Sequence, residues 1–277
     1  MKVFKLLEAL RRRVVLEGTS RGKNVVAFSG GVDSTLVAYV VHQAYPHSSI
    51  ACLGVSPSLP TYQRKLAFKV ASEIGIKFEE VFPNEIEDPL YVENVGESCY
   101  HCKSHLYASM RSVVESLGPD CVLFNGTNKD DRLDETRVGL KAAGEHRVSS
   151  PIDFLTKDEV RLVARAVNLS NWNHAASPCL RSRLQFGVEA TSERLELVEK
   201  AENVVKEAVE FSVSDNLRVR LMANNKALIE VDPGKINEIM KSLPSIKKDF
   251  EAFNFKAIDV KAFKSGSLSG YKINEHE

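Results

Sequence analysis

Two short patterns in this chain of 277 residues have the residue types and spacing to do chemistry. The first is Ser29-Gly30-Gly31-Val32-Asp33-Ser34, set between a short apolar run and a helical stretch. Adjacent glycines remove side chains where backbone must approach a ligand. The flanking serines bring hydroxyls, and a helix start offers unpaired N–H groups at the positive end of its dipole. Such a loop cradles an anion, although it lacks the lysine and the spacing of a Walker loop. A tight turn with Ser34 as a helix cap is the plainer alternative. The order strand, loop, helix favours the anion site.

The second pattern is Cys99-Tyr100-His101-Cys102, whose spacing suits a redox pair, half a zinc site or half an iron–sulfur site. A thioredoxin-like pair is disfavoured by the sheet order and the long preceding loop. A third thiol, Cys179, lies in Ser177-Pro178-Cys179-Leu180-Arg181-Ser182-Arg183, where nearby guanidinium groups favour a thiolate. Cys52 and Cys121 fall in apolar strand-like runs and read as core residues. Three thiolates on a four-iron cluster would leave one iron open to a further ligand; three unrelated thiols are the competing account. Arg218 and Arg220 alternate on one strand-like segment and share a face, which could grip a phosphate or simply meet solvent. Arg183 is a similar candidate beside Cys179.

These residues need a scaffold, and the first half of the chain supplies an alternating one. Apolar runs at 23–28, 49–55, 77–82 and 121–125 read as buried strands, with helices near 2–17, from SGGVDS to about 44, at 61–74 and from CYHCK to about 117. A looser segment, 83–98, interrupts the rhythm before the first two cysteines. This βα alternation predicts an α/β fold, a parallel sheet with covering helices. Thr156-x-x-Glu159 opens one more helix with a capping box. Beyond Gly187 the pattern changes to a charged helix at 191–210, a hairpin of 216–222 and 226–232 turning at Asn224-Asn225, a helix over 235–242, a basic segment at 244–248 and a strand at 255–263. That is a small α+β domain, and the boundary gives domains 1–187 and 188–277.

Lys plus Arg number 37 and Asp plus Glu number 37, so no global charge argues for a nucleic-acid or membrane partner. No window is apolar enough for a membrane span, and Glu8 with Arg11-Arg12-Arg13 breaks the pattern of a secretory signal. An odd count of five cysteines argues against a disulfide framework. A reducing, cytoplasmic location is expected.

SGGVDS resembles the pyrophosphate-binding loop of the PP-loop ATP pyrophosphatases, with the adenine nucleotide alpha hydrolase-like fold. That resemblance implies that Ser29, Gly30, Gly31 and Ser34 contact the β and γ phosphates of ATP and that Asp33 helps hold Mg2+. Gly126-Thr127-Asn128 resembles the second ATP loop of the family, with Asp131 as a further magnesium candidate. A wider resemblance runs through SGGVDS, CYHCK, NGTNKDD, Arg137-x-Gly139, TKDEVRLVAR, SPCLRSR, LRVRL and ALIEV. It is to the LarE-type sulfur transferases of nickel-pincer nucleotide biosynthesis.

It implies adenylation of the carboxylates of pyridinium-3,5-biscarboxylic acid mononucleotide by ATP, conversion to thiocarboxylates, and release of AMP and pyrophosphate. Domain 1–187 would hold ATP and domain 188–277 would serve substrate binding or oligomerisation, as a homo-oligomer. Cys99, Cys102 and Cys179 match the subtype in which three cysteines hold a [4Fe-4S] cluster for sulfur delivery; the sulfur donor is not specified. Arg218 and Arg220 match a phosphate-binding pair, and Glu202, Glu230 and Glu238 match positions that offer carboxylates to a metal. Two rival readings are a PP-loop tRNA thiolation enzyme and a non-enzymatic nucleotide- or zinc-binding module.

Overall fold

The computed structural model describes residues 1–116, 118, 120–134, 138–264 and 266. Along the chain these form α1 (Lys2–Glu17), β1 (Asn24–Ala27), α2 (Val32–Ala44), β2 (Ser49–Gly54), α3 (Thr61–Ile74), β3 (Lys77–Val81), α4 (Pro89–Val92), α5 (Ser98–Ser116) and β4 (Val122–Phe124). Then come α6 (Lys129–Leu133), α7 (Gly139–Glu145), α8 (Lys157–Ala166), α9 (Ser192–Ala208), β5 (Leu217–Met222), β6 (Lys226–Val231), α10 (Ile236–Ala252) and β7 (Ala257–Ala262). They divide into two compact units. One comprises Met1–Glu85 with Cys99–His174; the other comprises Ile86–Ser98 with the chain from Ala175 onward.

The first unit is built on a four-stranded parallel sheet in the order β3-β2-β1-β4. Consecutive residues of β1 point into opposite layers. Val26 joins Leu36, Val40, Ala67 and Val163 on one side, while Val25 joins Ile50, Cys52, Met110 and Leu123 on the other. Helices α1, α2, α3 and α8 therefore cover one face, and α5 and α7 the other. Burial on both faces explains why these strands read as continuous apolar runs. The expected parallel α/β architecture is what the chain adopts. Arg137 lies outside the described residues.

The second unit holds a three-stranded sheet in the order β5-β6-β7, with β5 antiparallel to β6 and β7 parallel to it. The hairpin turns at residues 223–225, where Asn224 and Asn225 take φ of 56° and 55°; asparagine tolerates this left-handed region better than most residues. One expectation needs correction. The basic segment 244–248 does not follow a helix that has ended; α10 runs through Pro244 to Ala252. Proline removes one backbone bond, but Ile239, Ile246 and Phe250 form a buried stripe on both sides of it, and that packing holds the helix together.

Candidate active site

Strand order creates the site. From β1 the chain moves outward through β2 and β3, then returns to place β4 on the other side of β1, so β1 and β4 flank a topological switch point. Loops leaving the carboxyl ends of such strands diverge and open a crevice where ligands bind. Ser29-Gly30-Gly31 leaves β1 and Gly126-Thr127-Asn128 leaves β4.

The two loops pack tightly. A Cβ on Gly126 would lie 2.7 Å from Ser34 N and 2.9 Å from Asp33 C, so only glycine fits there. Gly30 has φ of 70°, and a Cβ there would meet Ala67 Cα at 2.7 Å. Gly31 caps α2 without a side chain, leaving the first-turn N–H groups for another acceptor. Ser29 and Ser34 meet at 3.1 Å between their hydroxyls; Ser34 Oγ also accepts from Ser29 N and donates to the Gly31 carbonyl. Thr127 N is held by Asn125 Oδ1 at 3.1 Å.

Asp33 and Asp131, the two magnesium candidates, are connected through Asn128. Asn128 Nδ2 donates to Asp33 Oδ1 at 3.3 Å, while Asn128 and Asp131 form a reciprocal capping box at the start of α6. Lys157 Nζ pairs with Asp33 Oδ2. Lys157 is the first residue of α8, positioned by the Thr156–Glu159 capping box and by its own N–H donating to Asp130 Oδ2 at 2.7 Å. The capping box was visible in the sequence; the approach of Lys157 to a residue 124 positions away was not. Among the described residues no three or more His, Cys, Asp or Glu side chains form a group that could hold a metal ion. Two carboxylates beside a glycine loop and a helix start suit the habit of Mg2+, which takes one or two protein oxygens and completes its shell with other oxygens.

Cys99 and Cys102 lie near the start of α5, three residues apart and so on adjoining positions of one helix face. Both are half-buried. Tyr100 between them ties α5 to α7 through Glu145 Oε2 at 2.8 Å and carries Lys141 Nζ 4.9 Å above its ring. Cys52 is fully buried in the sheet, as expected; Cys121 is half-buried just before β4, with Lys23 N donating to its sulfur at 3.4 Å. Burial, aided by Glu79, pushes the Cys52 thiol up to about 12. Only about one Cys52 in ten thousand is then thiolate at pH 8, so iodoacetamide should label it last of the five in folded protein. Peptide mass mapping over time checks this, and Cys52 labelling as fast as Cys102 would contradict it.

Cys179 belongs to the second unit, where it precedes a short helical turn at Leu180–Arg183. The three arginines singled out from sequence all reach the carbonyls of its loop. Arg218 donates to Ala176 O, Arg183 to Pro178 O and, at 3.0 Å, to Cys179 O, and Arg220 to Ser182 O at 2.7 Å. All three are buried, Arg183 completely. Arg183 Nε donates to Glu202 Oε1 at 2.9 Å, and Arg220 donates to Glu230 Oε2 from Nε at 2.9 Å and Nη2 at 2.7 Å. Lys206 adds to this cationic surplus, and its pKa is lowered mainly by burial; Arg183 and Arg218 act in the same direction, against Glu202 and Glu199. Glu238 instead lies exposed beside Lys235. Trp172, in the first unit, packs under Arg165, whose guanidinium lies 4.9 Å from the ring centroid.

No family model matches the chain. It is similar to a protein of Synechocystis sp. described as uncharacterized protein slr1717, at 36% identity over 251 residues, 88% of this chain and 91% of that one. The chain belongs to the same family as slr1717. The pyridinium-3,5-bisthiocarboxylic acid mononucleotide synthase of Lactiplantibacillus plantarum is 28% identical over 250 residues, covering 88% of each chain. Uncharacterized protein MJ0830 of Methanocaldococcus jannaschii is 27% identical over 239 residues, 85% of this chain and 88% of its own length. Among the described residues no helix is long and apolar enough to cross a membrane.

Proposed function

We propose that this chain is an ATP-dependent sulfur-inserting enzyme of the LarE type, acting on pyridinium-3,5-biscarboxylic acid mononucleotide. One observation carries the reading. The SGGVDS and GTN loops meet at the switch point of a parallel sheet, in a chain that aligns along 88% of its length with a relative named as the bisthiocarboxylic acid mononucleotide synthase.

The amide groups of the loop and of the first turn of α2 receive the β and γ phosphates of ATP. Asp33 and Asp131 are the residues that would hold Mg2+, which would supply counter-charge to the phosphates, and Lys157 offsets further negative charge. A substrate carboxylate oxygen then attacks the α-phosphorus. The bond to the bridging oxygen breaks, pyrophosphate leaves into the loop, and an acyl-adenylate remains. Stabilising the departing charge with fixed N–H dipoles is the largest contribution such a loop makes. Arg218 and Arg220 are the candidates to meet the phosphate of the mononucleotide, while Arg183, completely buried, braces the Cys179 loop from behind. Cys99, Cys102 and Cys179 are the residues to hold a [4Fe-4S] cluster, the first two fitting adjacent ligand positions on one helical turn. Such a cluster supplies sulfide at its open iron when bound.

The test is anaerobic reconstitution with iron and sulfide, followed by ATP, Mg2+ and the biscarboxylate mononucleotide. Expected are AMP and pyrophosphate in equal amounts and a product whose mass shows sulfur in place of carboxylate oxygen, over repeated turnovers. A single turnover that converts one cysteine to dehydroalanine would remove the cluster from the reading. Tight, strongly salt-dependent tRNA binding with no reaction of the mononucleotide would overturn the substrate.

A further inference from the structure

We propose that Gln63 and Asn171 are positioning residues that set the polarity of the phosphate loop, a role that rests on reading 29–34 as the ATP-binding loop. Gln63 Nε2 donates to the Ser29 carbonyl at 2.6 Å. Asn171 Nδ2 donates to the Gly30 carbonyl at 2.8 Å and to Thr35 Oγ1 at 2.9 Å. The Gly31 carbonyl accepts from Ser34 Oγ at 3.1 Å and from Thr35 N at 3.0 Å. Three consecutive carbonyls are thus turned into the protein. In a planar trans peptide the N–H points opposite to its carbonyl, so the N–H groups of Gly30, Gly31 and Val32 are turned the other way. Gly31 N–H is on the exposed side, where it meets Ser29 Oγ at 3.3 Å.

This matters because Gly30 and Gly31 leave the backbone free to flip. One flipped peptide would replace a donor with a carbonyl oxygen, which repels an anion. The two amides prevent that flip by holding two successive carbonyls, those of Ser29 and Gly30. Gln63 is 4% exposed and Asn171 0%. Gln63 and Ala67 lie one turn apart on α3, so the helix that holds the Ser29 carbonyl also presents the backbone against which Gly30 must be bare. Asn171 Oδ1 is buried with no hydrogen-bond partner among the described residues. Burying an unsatisfied acceptor is unfavourable, and a residue that only filled space would avoid it. Its donor side is what the position requires.

The experiment is calorimetric titration of inorganic pyrophosphate with Mg2+ into the full chain. Gln63→Met and Asn171→Leu each remove a donor while nearly keeping size, and each should weaken binding by about tenfold, the equivalent of one lost hydrogen bond to the loop. Gln63→Glu supplies a readout that a structural role would not move. As a neutral acid at low pH it can donate to the Ser29 carbonyl; as a carboxylate at higher pH it can only repel it. Its affinity relative to wild type at the same pH should therefore fall as pH rises. Folding of each variant is checked by thermal unfolding, and if Asn171→Leu does not fold, the two Gln63 variants decide. Folded variants that bind within about twofold of wild type at every pH overturn the proposal. Wild-type protein that takes up neither pyrophosphate nor ATP would instead sink the nucleotide reading, and this proposal with it.

Discussion

Asp33→Asn should slow release of AMP from ATP by about 10²–10³-fold in a protein that still folds. The side chain stands at the start of α2, beside N–H groups suited to phosphate oxygens, and Lys157 Nζ already pairs with it. If the loop at 29–34 receives the triphosphate of ATP, a carboxylate there is repulsive unless a cation lies between them. Removing the charge should therefore act in opposite directions on two measurements. Binding of ATP without Mg2+ should be unchanged or tighter, because a repulsion is gone. Catalysis with Mg2+ should collapse, because the cation loses a ligand and the departing pyrophosphate loses its counter-charge. Chromatography of AMP across a Mg2+ titration, alongside metal-free ATP binding, reads both. A variant that cleaves ATP within about threefold of wild type would place the metal elsewhere.

Glu230→Ala is expected to destabilise the second unit by about 3–5 kcal/mol. Glu230 is 3% exposed and takes two hydrogen bonds from Arg220, itself 6% exposed. Its loss leaves the guanidinium charge buried without its carboxylate, although the Ser182 carbonyl stays in contact. Hydrogen exchange at the amides of β5 and β6 reports the change where it occurs. Replacing both partners, Arg220→Leu with Glu230→Leu, should recover most of the stability, since a buried ion pair is rarely better than well-packed apolar side chains of similar volume. The double variant thereby separates folding from function. If Arg220 serves the mononucleotide phosphate, the stable double variant should bind substrate more weakly; unaltered binding would leave the pair a purely structural role.

How much was legible in the sequence follows from the range of the interactions. SGGVDS could be read because strand, loop and helix adjoin, and Asn224-Asn225 because a tight hairpin needs residues that tolerate positive φ. The parallel sheet followed from unbroken apolar runs, which two covered faces demand. Lys157, Gln63 and Asn171 gave no signal: each is an ordinary polar residue on or near a helix, made important by a partner brought close only when the sheet is assembled. The arginines lay between these cases. Alternation put Arg218 and Arg220 on one face, but only the structure shows that they converge with Arg183 on the Cys179 loop. Helix α10 was misjudged because a local breaker, Pro244, was weighed above a buried stripe extending past it.

The segment 86–98 belongs to the second unit although it precedes Cys99 and Cys102 in the chain. Its anchor is Asn94, whose side chain donates to Gln185 O at 3.0 Å and Val188 O at 2.9 Å and accepts from Arg181 Nη1 at 2.7 Å. Asn94 and Gln185 are 91 residues apart. At a ribosomal rate of ~5–20 residues per second, Asn94 emerges roughly 5–20 s before its partners have been made. Strands β1 to β3 can pair during that interval, while the Val92 carbonyl waits for the Ala190 N–H, its partner at 2.7 Å. Anchoring of this segment is thus timed by the synthesis of residues 181–188, and a chain stalled before them would display an open, protease-sensitive stretch immediately ahead of its first two candidate sulfur ligands.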